Sequence, residues 1–281
     1  MTAKILKVAS CQFQVSEFVA RNAASICAFM QKARDGGAEI VHFSECALSG
    51  YGGANYDTLD GFDWDMLRAK TQEVMALAGT LKLWVVLGSM HQLTLPNKPH
   101  NCLYLINPKG QIENRYDKRF CTQGDLDYYT PGNRFVTFDI NGVRCSFLIC
   151  FDLRFPELYR ELKKLGVQCL FQSFYNANSG ISIHSYIMRQ TMQAHAGINY
   201  FWVSMTNTSG PKSPWPSCFI QPDGKIAAHL QRNRPGMMIN TVDINNTFYD
   251  PSAPFRMAAI DGALSNGPAV NDPRSQQTTI L

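Results

Sequence analysis

The sequence predicts a layered α/β fold in which mixed sheets are covered by helices. Three observations lead there. Strand-like and helix-like segments interleave from the start, an Asn-Gly hairpin signal sits mid-chain, and apolar residues make up 45% of 281 residues against 17% charged. That balance suits a compact globular chain rather than a disordered or fibrous one.

Ile5 to Phe13 reads as a strand, and Asn22 to Arg34 carries apolar residues at helical spacing until Gly36-Gly37 stops it. Glu39 to Phe43 is a second strand and Trp64 to Leu81 a second helix. Apolar Leu83 to Gly88 follows, then Leu103 to Ile106, a Pro108-Lys109-Gly110 turn, and Ile112 to Tyr116. Phe135 to Ile140 and Val143 to Ile149 flank Asn141-Gly142, whose tolerance of positive φ suits a two-residue hairpin. Pro156 opens a helix through Leu165, because its fixed φ and missing N–H are harmless in a first turn.

Beyond it come strand Val167 to Gln172, helix Ile183 to Ala196, strand Phe201 to Met205, a pair of strands around Pro222-Asp223-Gly224, and strand Met237 to Asp243. The pattern predicts one domain over residues 1–250. Residues 251–281, rich in Pro, Gly, Asn and Ser, read as an extended or partly disordered C-terminal arm that reaches a subunit interface.

Composition excludes several functions. The net charge of +4 is spread thinly, with no long basic run, which argues against nucleic-acid binding. No run of about 18 apolar residues exists, and the chain enters its first strand without a leader-like pattern, so the expectation is a cytoplasmic protein with no membrane partner. Nine cysteines at irregular spacings, with no Cys-x-x-Cys pair, fit neither a disulfide scaffold nor a zinc site.

Cys150 differs from the other eight. It lies at a strand's carboxyl end, before a tight turn and a helix start, where α/β sheets present groups to ligands and where backbone N–H groups favour a thiolate. On position alone it reads equally as an inert buried thiol. None of the six histidines stands in an evident relation to it, and His42, His184 and His195 read as structural. A carboxylate base is the competing possibility. Glu45 ends an apolar strand, where lost solvation raises a carboxyl pKa, and Lys118 follows another strand as a fixed positive charge.

Taken together, Ser44-Glu45 with Leu48-Ser49-Gly50-Tyr51, then Tyr116-Asp117-Lys118, then Cys150-Phe151-Asp152-Leu153-Arg154-Phe155-Pro156-Glu157 resemble the three signature blocks of the nitrilase superfamily, the carbon–nitrogen hydrolases. Glu to Lys spans 73 residues and Lys to Cys 32, and the likeness runs from about Lys4 to Asp243. The cysteine block looks most like the amidase branch that acts on small ω-amides.

The resemblance implies a four-layer α-β-β-α sandwich, paired into a homodimer, with no metal or organic cofactor. It implies Glu45 as general base, Cys150 as nucleophile, and Lys118 with the Phe151 backbone N–H as oxyanion hole. Counting back from Pro131, Asp125 stands where the family carries a second glutamate, one methylene shorter. Tyr51, Tyr128, Arg154 and Tyr175 are the candidate substrate contacts, with Arg189 a further candidate for a substrate carboxylate. The implied activity is hydrolysis of a small linear amide through a thioester. N-carbamoyl or nitrile hydrolysis, or a silent metabolite-binding role, are the alternatives.

Overall fold

The computed structural model describes residues 4–177 and 182–279, and the side chain of His184 lies outside that description. Two compact units divide the chain, Met1–Tyr249 and Asp250–Leu281.

The first unit is a mixed α/β sandwich of two six-stranded sheets. One sheet contains β1 (Ile5–Gln12), β2 (Ile40–His42), β3 (Trp84–His91), β4 (His100–Ile106), β5 (Ile112–Asp117) and β12 (Gly236–Asp243), in the order β12-β1-β2-β3-β4-β5. The other contains β6 (Thr137–Ile140), β7 (Val143–Ile149), β8 (Cys169–Ser173), β9 (Trp202–Thr206), β10 (Cys218–Ile220) and β11 (Ile226–His229), in the order β11-β10-β9-β8-β7-β6. Helices α1 (Val19–Asp35) and α2 (Trp64–Leu81) pack with the first sheet, and α3 (Pro156–Lys164) and α4 (Ile183–Asn199) with the second. This is the expected four-layer α-β-β-α arrangement.

Local chemistry explains the joints. Asn141 and Gly142 both take positive φ, 52° and 75°, as the β6–β7 hairpin requires. Asp63 caps α2 by accepting from the Met66 N–H at 2.8 Å. The second unit, expected as an extended or partly disordered arm, is mostly exposed and irregular. It forms two short helices, α5 (Arg256–Ile260) and α6 (Pro273–Gln276), and Arg256 pairs with Asp250. The cause is local: Asp272 caps the first turn of α6 with Pro273 at the position where its missing N–H costs nothing.

Strand direction positions the site. β1, β2 and β3 are parallel, and two antiparallel steps return β5 to the same sense; β7, β8 and β9 are parallel in the other sheet. The carboxyl ends of β2, β5, β7 and β8 therefore all emit loops that carry candidate residues.

Between the sheets the apolar core is interrupted by polar bridges, and the His42 bridge lies deep within it. His42 on β2 is fully buried, with Nδ1 2.8 Å from Ser204 Oγ and Nε2 2.8 Å from Ser173 Oγ. Burial lowers its pKa from 6.5 to about 3, so it stays neutral where the unfolded imidazole would take a proton. Protons therefore bind the unfolded chain in preference, and stability falls as pH drops below 6.5, by about 1.4 kcal/mol per pH unit from this group. Thermal melts between pH 7.5 and 4.5 should show stability falling toward low pH, with the His42 contribution read from the difference between wild type and variant. His42→Gln, which cannot take up the proton, should start less stable but give a flatter pH dependence.

Candidate active site

Glu45 lies three residues beyond β2, in a turn seated on β3. A Cβ on Gly88 would stand 2.0 Å from the Ser44 carbonyl oxygen, so only glycine lets the turn settle there. The Leu48 N–H then donates to Gly88 O at 2.9 Å. Lys118 follows β5 directly. Its N–H donates to Asn101 O at 2.9 Å, and its carbonyl accepts from the Gly132 N–H at 2.8 Å, so the Pro131-Gly132 loop clamps the lysine backbone. Cys150 follows β7 at φ 42°, a left-handed conformation unusual for a residue with a side chain.

These turns converge on one buried charge cluster. Lys118 Nζ donates to Glu45 Oε1 and to Asp125 Oδ2, each at 2.8 Å, with all three side chains buried. Asn101 Nδ2 donates to Glu45 Oε1 at 2.7 Å, and the Tyr175 N–H donates to Oε2 at 2.8 Å. The Thr122 N–H donates to Asp125 Oδ2 at 2.9 Å, and the Tyr51 hydroxyl donates to Oδ1. Cys150 is half-buried beside Glu45, and Asn176 Nδ2 reaches its sulfur at 3.8 Å. Tyr51 stacks on Tyr175 with centroids 4.7 Å apart.

Electrostatics decides the resting protonation. Burial would lower the Lys118 pKa, but Glu45, Cys150 and Asp125 around it hold it well above its usual value, so the ammonium persists. Burial raises Glu45, with Lys118 opposing and Asp125 reinforcing. Burial would also raise Asp125, yet the Lys118 charge and the bonds from Lys118, Tyr51 and Thr122 hold it below the usual carboxylate range. Cys150 is pushed well up, first by burial and then by Glu45, against the pull of Lys118.

The thiol therefore rests protonated, contrary to the expectation that backbone N–H groups and the helix start would favour thiolate. One ammonium already faces two carboxylates, and a third anion in the same dry space is unfavourable. Such a site can move the thiol proton to Glu45 as the sulfur attacks, rather than hold a preformed ion pair.

Of the residues singled out in the sequence, Glu45, Lys118, Asp125, Cys150, Tyr51 and Tyr175 are brought together. Phe151 follows Cys150 in the turn, with its ring edge-on to Phe155 at 5.4 Å. Tyr128 and Arg154 are placed otherwise. The Tyr128 ring lies on Gly52-Gly53 and its hydroxyl donates to Asp57 O at 3.0 Å, because the short helical turn Asp125–Asp127 carries it past the cluster. Arg154 is exposed at the end of the Cys150–Arg154 turn and makes no ion pair among the described residues. Arg189 sits on α4 near Cys218 and likewise makes no ion pair among the described residues.

Sequence reasoning missed Asn101, Thr122, Asp152 and the sulfur contact of Asn176. A polar Asn101 at the head of an otherwise apolar strand was the available signal. Asn207 is a buried clamp behind Asn176: its Oδ1 accepts from the Asn176 N–H at 2.9 Å, and its Nδ2 donates to Trp215 O at 3.0 Å.

Comparison with known proteins follows the same line. The family model for carbon–nitrogen hydrolase matches residues 7–247. The omega-amidase NIT2 of Homo sapiens is 26% identical over 62% of this chain, and an (R)-stereoselective amidase of Pseudomonas sp is 29% identical over 67%. The matched stretches span 65% and 63% of those proteins, just under two thirds of their length. Among solved structures, an amidase from Nesterenkonia sp. superposes with a TM-score of 0.75 at 18% identity, covering 86% of this chain and 92% of that one. A variant of the amidase from Nesterenkonia sp. AN1 carries the acetamide moiety of fluoroacetamide on its active-site cysteine (TM-score 0.76, 18% identity, 86% and 91% covered).

The charge balance makes a checkable prediction. Asp125→Asn removes one of the two anions around Lys118, which should lower the pKa of both Glu45 and Cys150. Alkylation of Cys150 by iodoacetamide at pH 7, followed by peptide mass spectrometry, should then be faster than in wild type. An unchanged rate would mean that the Asp125 charge does not set the thiol's reactivity, and a slower one that its hold on Lys118 outweighs its charge.

Proposed function

The chain belongs to the carbon–nitrogen hydrolase family, and on that premise we propose that it hydrolyses a small linear amide through a thioester on Cys150. The observation that carries the reading is the buried Glu45–Lys118 pair at 2.8 Å with the Cys150 thiol beside it. Amidases among the relatives, including a 2-oxoglutaramate amidase of Bacillus subtilis, support the choice of an amide substrate.

In this reading Glu45 takes the thiol proton while the sulfur attacks the carbonyl carbon. The resulting oxyanion is held by Lys118 and the Phe151 backbone N–H. An ammonium has three N–H donors; Glu45 and Asp125 use two, which leaves one for the oxyanion. Protonated Glu45 returns its proton to the departing ammonia. Water, with Glu45 again as base, then cleaves the thioester to the free acid and restores the thiol. Asp125 holds Lys118 in place, Tyr51 and Tyr175 form the aromatic wall against the substrate, and no cofactor enters these steps.

We also infer a homodimer in the cytoplasm. The exposed Ile183 and Tyr186 on α4 support pairing through that helix, and nine free cysteines suit a reducing compartment. Among the described residues, no helix is long and apolar enough to cross a membrane.

Ammonia release from a panel of small ω-amides, N-carbamoyl compounds and nitriles tests the activity, with wild type run beside Cys150→Ala. Wild type should release ammonia from ω-amides and the variant should lose at least a thousandfold. Turnover confined to N-carbamoyl compounds or nitriles would redirect the substrate class, and activity surviving in the variant would overturn the mechanism. In light scattering at micromolar concentration the protein should have twice the 31.5 kDa chain mass, whereas a monomeric mass would refute the dimer.

A further inference from the structure

We propose that Asp152 is a positioning residue for the nucleophile, joining the strand end that carries Cys150 to the one that carries Lys118. Its carboxylate is fully buried and accepts three hydrogen bonds from the two sheets' loops and strands. Oδ2 accepts from the Ile149 N–H at 2.9 Å and from the Tyr116 hydroxyl at 2.8 Å, and Oδ1 accepts from the Phe120 N–H at 2.9 Å. Ile149 precedes Cys150 at the end of β7, whereas Tyr116 is in β5 and Phe120 lies two residues past Lys118.

One carboxylate thus spans the gap between the sheets at the point where both catalytic loops leave them. It makes no ion pair among the described residues, so its three donors are what stabilise it, and burial raises its pKa. The left-handed backbone of Cys150, at φ 42°, needs such an external hold, because an unsupported side-chain-bearing residue relaxes out of that region. Phe120 and Phe155 stack at 3.6 Å over the same junction and reinforce it. Asp152 touches neither sulfur nor substrate; it acts by setting where Cys150 Sγ lies relative to Glu45 and Lys118. A displacement of about 1 Å there can cost a hundredfold in rate.

The proposal rests on thiol chemistry at Cys150 but not on any particular substrate, so alkylation tests it. Asp152→Asn keeps the volume and turns one acceptor into an N–H donor that faces another donor. Iodoacetamide alkylation of Cys150 at pH 7 should slow at least tenfold while the far-UV spectrum is unchanged. The gap should narrow toward the high pH at which the thiol ionises without a base. On whichever amide of the panel the wild type hydrolyses, kcat should fall at least tenfold with KM changed less than threefold. Tyr116→Phe, which removes one of the three donors, should fall between, and the double variant should be no slower than Asp152→Asn alone. A folded Asp152→Asn alkylated at the wild-type rate, a slowing equal at all pH values, or additive losses in the double variant would each overturn the proposal. Should Asp152→Asn not fold, wild-type alkylation of Tyr116→Phe would overturn it just as well. An inert amide panel with this alkylation pattern intact would sink the hydrolase reading and leave the positioning role standing.

Discussion

A fully buried lysine ammonium is the feature on which the site depends. Moving an ion of that size out of water costs several kcal/mol even after relaxation, and each buried carboxylate adds a similar cost. The cluster is tolerable only because Lys118 meets Glu45 and Asp125 at 2.8 Å, while Asn101, the Tyr175 N–H, Thr122 and Tyr51 occupy remaining lone pairs of the two acids. Thr122 shares the loop of Lys118 and Asp125, but Glu45, Asn101, Tyr175 and Tyr51 come from loops or strand ends remote from it. The geometry therefore cannot be held locally, and the sandwich exists in this form to deliver those ends to one place.

The same balance sets the chemistry. Burial raises the Cys150 thiol first, and two carboxylates against one ammonium leave excess negative charge that raises it further. A cysteine paired with a cationic imidazole is deprotonated in advance. In the proposed reaction the proton leaves during attack, and Glu45, itself raised by burial, takes it.

Rigidity between the sheets comes from polar bridges placed within apolar packing. His42 reaches Ser173 and Ser204 across the core, and Asp152 ties Tyr116 and Phe120 to Ile149. Both are satisfied buried groups, so removing either partner strands the other without water. Their cost in stability is offset by a fixed relation between the two layers, which packing of interchangeable apolar side chains would leave free to slide.

By itself the sequence determined the elements and the chemical types. Hydrophobic period and turn residues placed the body strands and all four main helices, including the Asn141-Gly142 hairpin, and three ordered blocks singled out Glu45, Lys118 and Cys150. Those signals are local, since they depend on neighbours a few residues apart. Only the tertiary structure decided that Asn101 and Thr122 complete the charge cluster, that Tyr128 turns away toward Asp57 while Tyr175 turns in, and that Arg154 stands in solvent. It also reversed the expected state of the thiol. Burial and the summed field of side chains tens of residues apart are properties of the folded arrangement, and no spacing along the chain encodes them.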